Sequence, residues 1–161
     1  MDGSVQFTVR PPPIWYHEMG RRARPQHRTI SASSIRPSDA ENLVMNIQDA
    51  LSLDLLHRDY PATVRQVNYA CRGHCYVATE AAYHLFGKRA GFVPYVLRHS
   101  NGTHWWLKNE STGEILDPTQ PQLGPWRPYK KGHRKHFLTP TPSRRARELM
   151  RRIRAQSSPA V

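Results

Sequence analysis

Cys75, His104 and Asp117 stand along the chain in the order of a nucleophile, a general base and the carboxylate that orients the base. A thiol attacks an acyl carbon as its thiolate, and a neighbouring imidazole takes its proton and returns it to the leaving group. Cys75 opens the run Cys75-Tyr76-Val77-Ala78-Thr79-Glu80-Ala81, which reads as a helix entered through Gly73. The unpaired amides and macrodipole of a helix start favour the anion. A lone cysteine is more often a small buried hydrophobe; the histidine and aspartate that follow Cys75 tell against that reading.

The elements that must position these residues are legible in the pattern. Ser38 with Glu41 three residues later forms a capping-box signature, and Leu43, Val44, Ile47, Leu51 and Leu55 continue at helical spacing, so a first helix is expected to end near His57. Asp59-Tyr60-Pro61 breaks it, and a loop should run to about Gly73. The second helix is expected over Cys75 to Phe86, with Gly87 as a left-handed C-cap. Phe92 to His99 reads as a strand, Asn101-Gly102 as a hairpin turn, Thr103 to Lys108 as the return, and Glu114 to Leu116 as a third strand after a turn over 109–113. A last helix is expected from Ser143 as N-cap through Arg154, with Ala146, Leu149, Met150 and Ile153 on its buried face.

A turn centred on Glu110-Ser111 would set Lys108 opposite Gly113, Trp106 opposite Ile115 and His104 opposite Asp117. Opposed residues have Cβ atoms about 4.5 to 5.5 Å apart, close enough for a carboxylate to hold an imidazole. A slip of one residue would move Asp117 to the other face. Pro118 ends the strand and fixes the carboxylate at its tip, while Trp105 and Trp106 point to opposite faces. Glu80 and His84 share a helix face at i, i+4 and read as a surface pair.

The block from His104-Trp105-Trp106-Leu107 through Gly113-Glu114-Ile115-Leu116-Asp117-Pro118-Thr119 resembles the histidine strand and the Asp-Pro-Thr strand of transglutaminase-like domains, which belong to the wider papain-like superfamily. The resemblance covers about Gly73 to Thr119. It implies an α+β fold with a papain-like core, in which a central helix packs on a small antiparallel sheet. It also implies that Cys75 attacks an acyl carbon, His104 is its base and Asp117 orients the imidazole. The chain departs from the family pattern in lacking an evident oxyanion-hole side chain; Gln66 and Asn68, in the preceding loop, are the candidates beside the Cys75 amide. The block also resembles small bacteriophage proteins, which carries no information about substrate.

The implied activity is that of a thiol enzyme cleaving or transferring an amide or acyl group through a thioester, on a peptide, protein or small amide substrate. Peptidases, deamidases, transglutaminases and acyltransferases share this nucleophile and differ in pocket and acceptor. No cofactor is implied. Cys71, His74, Cys75 and His104 offer a rival role as zinc ligands. The adjacency of His74 and Cys75 and the lack of a second Cys/His pair at finger spacing argue against a metal site.

Charge is separated from this chemistry. The chain of 161 residues carries a formal charge of +12, with a pI near 10.4. Six basic residues face two acidic ones over 1–36, seven face nine over 37–125, and eleven face one over 126–161. The chain thus divides into a basic Pro/Ser-rich arm over 1–36, a core over 37–125 and a basic extension over 126–161 that ends in a helix. Lys130, Lys131, Arg134, Lys135, Arg144, Arg145 and Arg151 are candidates for non-specific contacts with nucleic acid or another polyanion. The rival to an enzyme is therefore a non-enzymatic nucleic-acid-binding or assembly protein acting through its basic arms. No apolar run approaches the roughly 20 residues that span a bilayer, two cysteines make no disulfide scaffold, and a soluble, cytoplasmic protein is expected.

Overall fold

Strict alternation builds the middle of the sheet. In the computed structural model, which describes residues 37–58, 71–100 and 102–157, Phe92, Pro94 and Val96 are buried and the residues between them are not. These residues lie on β1 (Phe92–His99), which pairs antiparallel with β2 (Gly102–Asn109) along its whole length, from Phe92 opposite Asn109 to His99 opposite Gly102. Gly102 closes the hairpin at φ +124°, a conformation that side chains disfavour. Two short strands, β3 (Ile115–Leu116) and β4 (His133–Arg134), complete a four-stranded sheet in the order β3-β2-β1-β4.

Three α-helices accompany the sheet among the described residues: α1 (Pro37–Ala50), α2 (Cys75–Ala82) and α3 (Arg144–Ser157). The fold is α+β. Ile47 of α1, Val77, Ala78 and Ala81 of α2, and Leu149 and Ile153 of α3 share one core with Phe92, Leu107 and Leu116 of the sheet. Small side chains on α2 let its neighbours approach closely, and removing Leu149 from this core would cost about 2 to 5 kcal/mol. Among the described residues the C-terminal helix is part of the same core as the elements before residue 125. No described helix is long and apolar enough to cross a membrane.

Three boundaries differ from the sequence expectation, each for a local reason. α1 stops at Ala50, because Ser52 is fully extended (φ −154°, ψ 163°) and its hydroxyl engages Asp54 and Arg152; Leu53–Leu55 form only a single 3-10 turn. α2 gives way after Ala82 to one π-helical turn, Tyr83–Gly87. Gly87 is not a left-handed cap; a Cβ there would come within 2.7 Å of Leu107 Cδ1, and the positive φ (+75°) falls instead at Gly91.

The β2–β3 register also differs. Leu107 lies opposite Leu116 and Lys108 opposite Ile115, two residues away from the expected pairing. The turn consumes more chain: Asn109 N donates to Glu114 O at 2.9 Å, Gly113 adopts φ +77°, and Asn109 Oδ1 accepts from Ser111 N and Thr112 N. An even shift conserves the face to which each side chain points.

Candidate functional site

Gly73 at φ +79° turns the chain into α2, and Cys75 is the first residue of that helix. His74 precedes it as N-cap without a capping side-chain bond. Its buried ring donates from Nε2 to Ser52 O at 2.9 Å, and burial pushes its pKa down, so it stays neutral and ties the helix start to the end of the first helical segment. Thr79 Oγ1, one turn on, donates to Trp105 O at 3.0 Å, which fastens α2 to β2. The Cys75 thiol donates to Thr103 O at 3.3 Å, the carbonyl of the peptide bond leading into His104.

His104, the next residue along β2, meets Asp117. His104 Nε2 lies 2.7 Å from Asp117 Oδ2, with the two side chains only 3% and 2% exposed. Because β2 and β3 are offset by two residues, the pair is diagonal and not directly opposed; a diagonal neighbour remains within reach of an imidazole. Asp117 is itself held by four donors. Oδ1 accepts from Thr119 N at 2.9 Å and Thr119 Oγ1 at 3.1 Å, and Oδ2 accepts from Tyr129 OH at 3.0 Å as well as from His104. The Asp-Pro-Thr run is thus a turn in which Thr119 grips its own aspartate, and Gln48 Nε2 of α1 secures the intervening Pro118 O at 2.9 Å.

The imidazole is fixed from its face too. Trp106, two residues along β2, stacks on His104 with ring centroids 5.8 Å apart and planes 24° from parallel. Trp106 in turn stacks on Tyr95 and meets Tyr129 edge-on. Trp105 points the other way, packing with Cys75, Tyr76 and Phe137.

Burial works against the His104 imidazolium, but the Asp117 hydrogen bond, the Cys75 thiol and the charges of both outweigh it and push the pKa up to about 9. Nε2 of the ring lies on Asp117, and Nδ1 lies 3.2 Å from Gln122 Nε2. The second thiol has a different character. Burial, reinforced by the Asp117 charge, pushes Cys71 up to about 11, which makes it a poor nucleophile at neutral pH. Among the described residues no three His, Cys, Asp or Glu side chains are grouped as a metal ion requires.

Gln66 and Asn68 lie outside the described residues. The basic candidates are spread over separate elements: Lys130 and Lys131 on the 3-10 turn Tyr129–Lys131, Arg134 and Lys135 at β4, and Arg144, Arg145 and Arg151 on α3. Several are engaged internally, with Arg134 on Glu110, Arg145 on Leu55 O and Arg151 on Glu148. Glu80 is not a surface residue; it is fully buried, and its carboxylate accepts from Ser143 N and Ser143 Oγ.

Two residues of the site were not singled out by sequence pattern. Tyr129 reaches Asp117 from the proline-rich, aperiodic stretch after β3. Gln122, on the 3-10 turn Gln120–Leu123, accepts from Gly73 N at 3.3 Å through Oε1 and approaches His104 Nδ1 at 3.2 Å through Nε2. Only their closeness in sequence to Asp117 signals a role. Comparison of the chain with protein-family models, curated proteins and solved structures finds no match.

Proposed function

We propose that the protein is a thiol enzyme with a papain-like arrangement of residues, which cleaves or transfers an amide or related acyl group through a thioester on Cys75. The observation that carries the reading is the double engagement of His104: Nε2 is held by a buried carboxylate at 2.7 Å, and the Cys75 thiol is a second hydrogen-bond partner of the ring. A random Cys, His and Asp would not produce that engagement. The resemblance of the segment from Gly73 to Thr119 to transglutaminase-like domains supports the same assignment.

In this reading the Cys75 proton passes to His104, and Sγ attacks the acyl carbon to form an S–C bond. The tetrahedral intermediate collapses with cleavage of the C–N bond, and His104 returns the proton to the departing amine. Water or an amine then attacks the thioester, loses a proton to His104 and releases Cys75 as the thiol. Asp117 holds the ring in orientation.

Alkylation by iodoacetamide tests the reading, with Cys71 as an internal control because burial suppresses its thiolate. Cys75 should react faster than free cysteine near neutral pH and slow markedly in His104→Ala. Equal reactivity of Cys75 and free cysteine, unchanged by that substitution, would sink the assignment.

A further inference from the structure

We infer that α3 carries a docking surface for the phosphate backbone of a nucleic-acid duplex, formed by Arg144, Arg147 and Arg151 and indifferent to base sequence. The surface is independent of the thiol chemistry: none of Cys75, His104 and Asp117 lines the cleft that these arginines border.

The helix divides its residues by face. Ala146, Leu149, Met150 and Ile153 are spent on the core. Arg144, Arg147 and Arg151 are exposed, and at roughly 100° a residue they fall within about 60° of one another. Arg144 and Arg151 stand about 10 Å apart along the axis, at about 1.5 Å a residue. Their face borders a cleft of about 430 Å³ that also takes in Glu148 and Arg152 of α3 and Asp54 of the 3-10 turn Leu53–Leu55. Arg145, by contrast, is turned away to Leu55 O.

Charge in the cleft does not cancel. Arg152 holds Asp54 at 2.6 Å and Glu148 at 2.8 Å, and also donates to Ser52 Oγ. One arginine thus engages both carboxylates. Arg151 reaches Glu148 as well, at 2.7 Å, yet its side chain stays 68% exposed. Arg147 donates to the neutral Pro142 O, and neither Arg144 nor Arg147 has a carboxylate partner among the described residues. Four guanidinium groups against two carboxylates leave two positive charges in excess.

The lining selects the partner. A guanidinium is a planar fork that matches phosphate oxygens bidentately. No apolar side chain lines the cleft, so it lacks the apolar centre of a protein–protein interface. The apolar face of α3 is consumed by the core and has nothing to lay into a lipid surface. No aromatic ring is present there to stack an unpaired base, and no side-chain amide to read a base edge. Backbone contact remains, and a duplex offers one charge per about 1.7 Å of its axis.

Fluorescence anisotropy of a short labelled DNA duplex, titrated with the full-length protein at increasing salt, tests the surface. The triple variant Arg144→Gln, Arg147→Gln, Arg151→Gln should weaken binding at least about tenfold and reduce the slope of log affinity against log salt by about 2 to 3, as the loss of three phosphate contacts requires. Arg147→Gln alone, which breaks no ion pair, should reduce the slope by about 1. Lys130→Gln, Lys131→Gln, Lys135→Gln removes the same charge from other elements and should change both quantities far less. Equal losses in the two triple variants would assign binding to net charge and overturn the surface, as would absence of binding by the wild type or unchanged affinity in the arginine variants. Displacement of the duplex by polyglutamate as readily as by unlabelled duplex would overturn it in favour of an acidic protein partner. Tighter binding of a single strand than of the duplex would overturn the choice of a duplex.

Discussion

Glu80, buried in the middle of α2, accepts hydrogen bonds from Ser143 N at 2.9 Å and Ser143 Oγ at 2.6 Å, directly before the first turn of α3. Ser143 Oγ passes the interaction on by accepting from Ala146 N at 3.2 Å, so one carboxylate and one hydroxyl cap the C-terminal helix and lock it to the helix that carries Cys75. Hydrogen bonds to a charged group contribute about 1.5 to 3 kcal/mol, and stranding a buried partner adds to the loss. Glu80→Ala should therefore destabilise the protein by at least about 2 kcal/mol, and Ser143→Ala by less. A double-mutant cycle by urea denaturation checks the pair: the two losses should be strongly non-additive, and additive losses would mean that the contact is not energetically coupled.

The pH dependence of stability follows from His104. Its folded pKa, pushed up to about 9, exceeds the ordinary value of 6.5, so the folded state binds a proton that the unfolded state releases. This contribution is fully present below pH 6.5 and is lost as the pH rises through about 9, with a full extent on the order of 3 kcal/mol. An NMR titration of the His104 ring should show a midpoint near 9, and Cys75→Ala should lower it because the thiol and its charge are among the causes that raise it. A midpoint at or below 6.5 in the unmodified protein would contradict the buried ion-pair geometry.

The pairing of His104 with Asp117 was legible because it depends on parity. The alternation along β2 and β3 puts the two on one face whether the strands pair in the expected register or two residues away, and only an odd slip would have separated them. The actual register was not legible, since it is decided by how much chain the turn consumes, and that depends on Asn109 gathering Ser111 and Thr112 around its side chain. Gly73 was read correctly as the turn into α2, where only a positive φ fits. Gln122 and Tyr129 were missed for a physical reason: they sit on single 3-10 turns in a proline-rich stretch, where neither the period of a helix nor that of a strand reports which way a side chain points. Glu80 was misread because its i, i+4 partner suggested a solvated pair, while its true partner, Ser143, lies 63 residues away.

Gly132 is a steric requirement of the site. Its backbone is extended, at φ −80° and ψ 163°, and would accept alanine without strain, but a Cβ there would fall onto Cη2 and Cζ2 of Trp106 and within 3.2 Å of Val96 O. Trp106 is fully buried between His104, Tyr95 and Tyr129 and has nowhere to retreat. Gly132→Ala should cost about 2 kcal/mol or more, as overpacking in rigid cores does. It should also change the ring-current shift that the stacked indole imposes on the His104 protons. A thermal melt and a proton spectrum check both; an unaltered His104 resonance would show that the indole does not set the ring's position.

The donors on Asp117 make opposite predictions for the base according to which is removed. Asp117→Asn keeps the shape of the side chain but takes away the charge facing Nε2, so burial acts on His104 with only Cys75 opposing it, and the ring's midpoint should fall well below 9. Tyr129→Phe does the reverse. The phenol competes with the imidazole for the same oxygen, Oδ2, at 3.0 Å, and its removal concentrates the carboxylate charge on Nε2–H. The His104 midpoint should then move above its wild-type position. Thr119→Val, which removes a donor to the other oxygen, should shift it upward by less, because Thr119 N still holds Oδ1 at 2.9 Å. NMR titration of the three variants resolves the order, and a downward shift in Tyr129→Phe would mean that the phenol supports the ring's position more than it drains the carboxylate's charge.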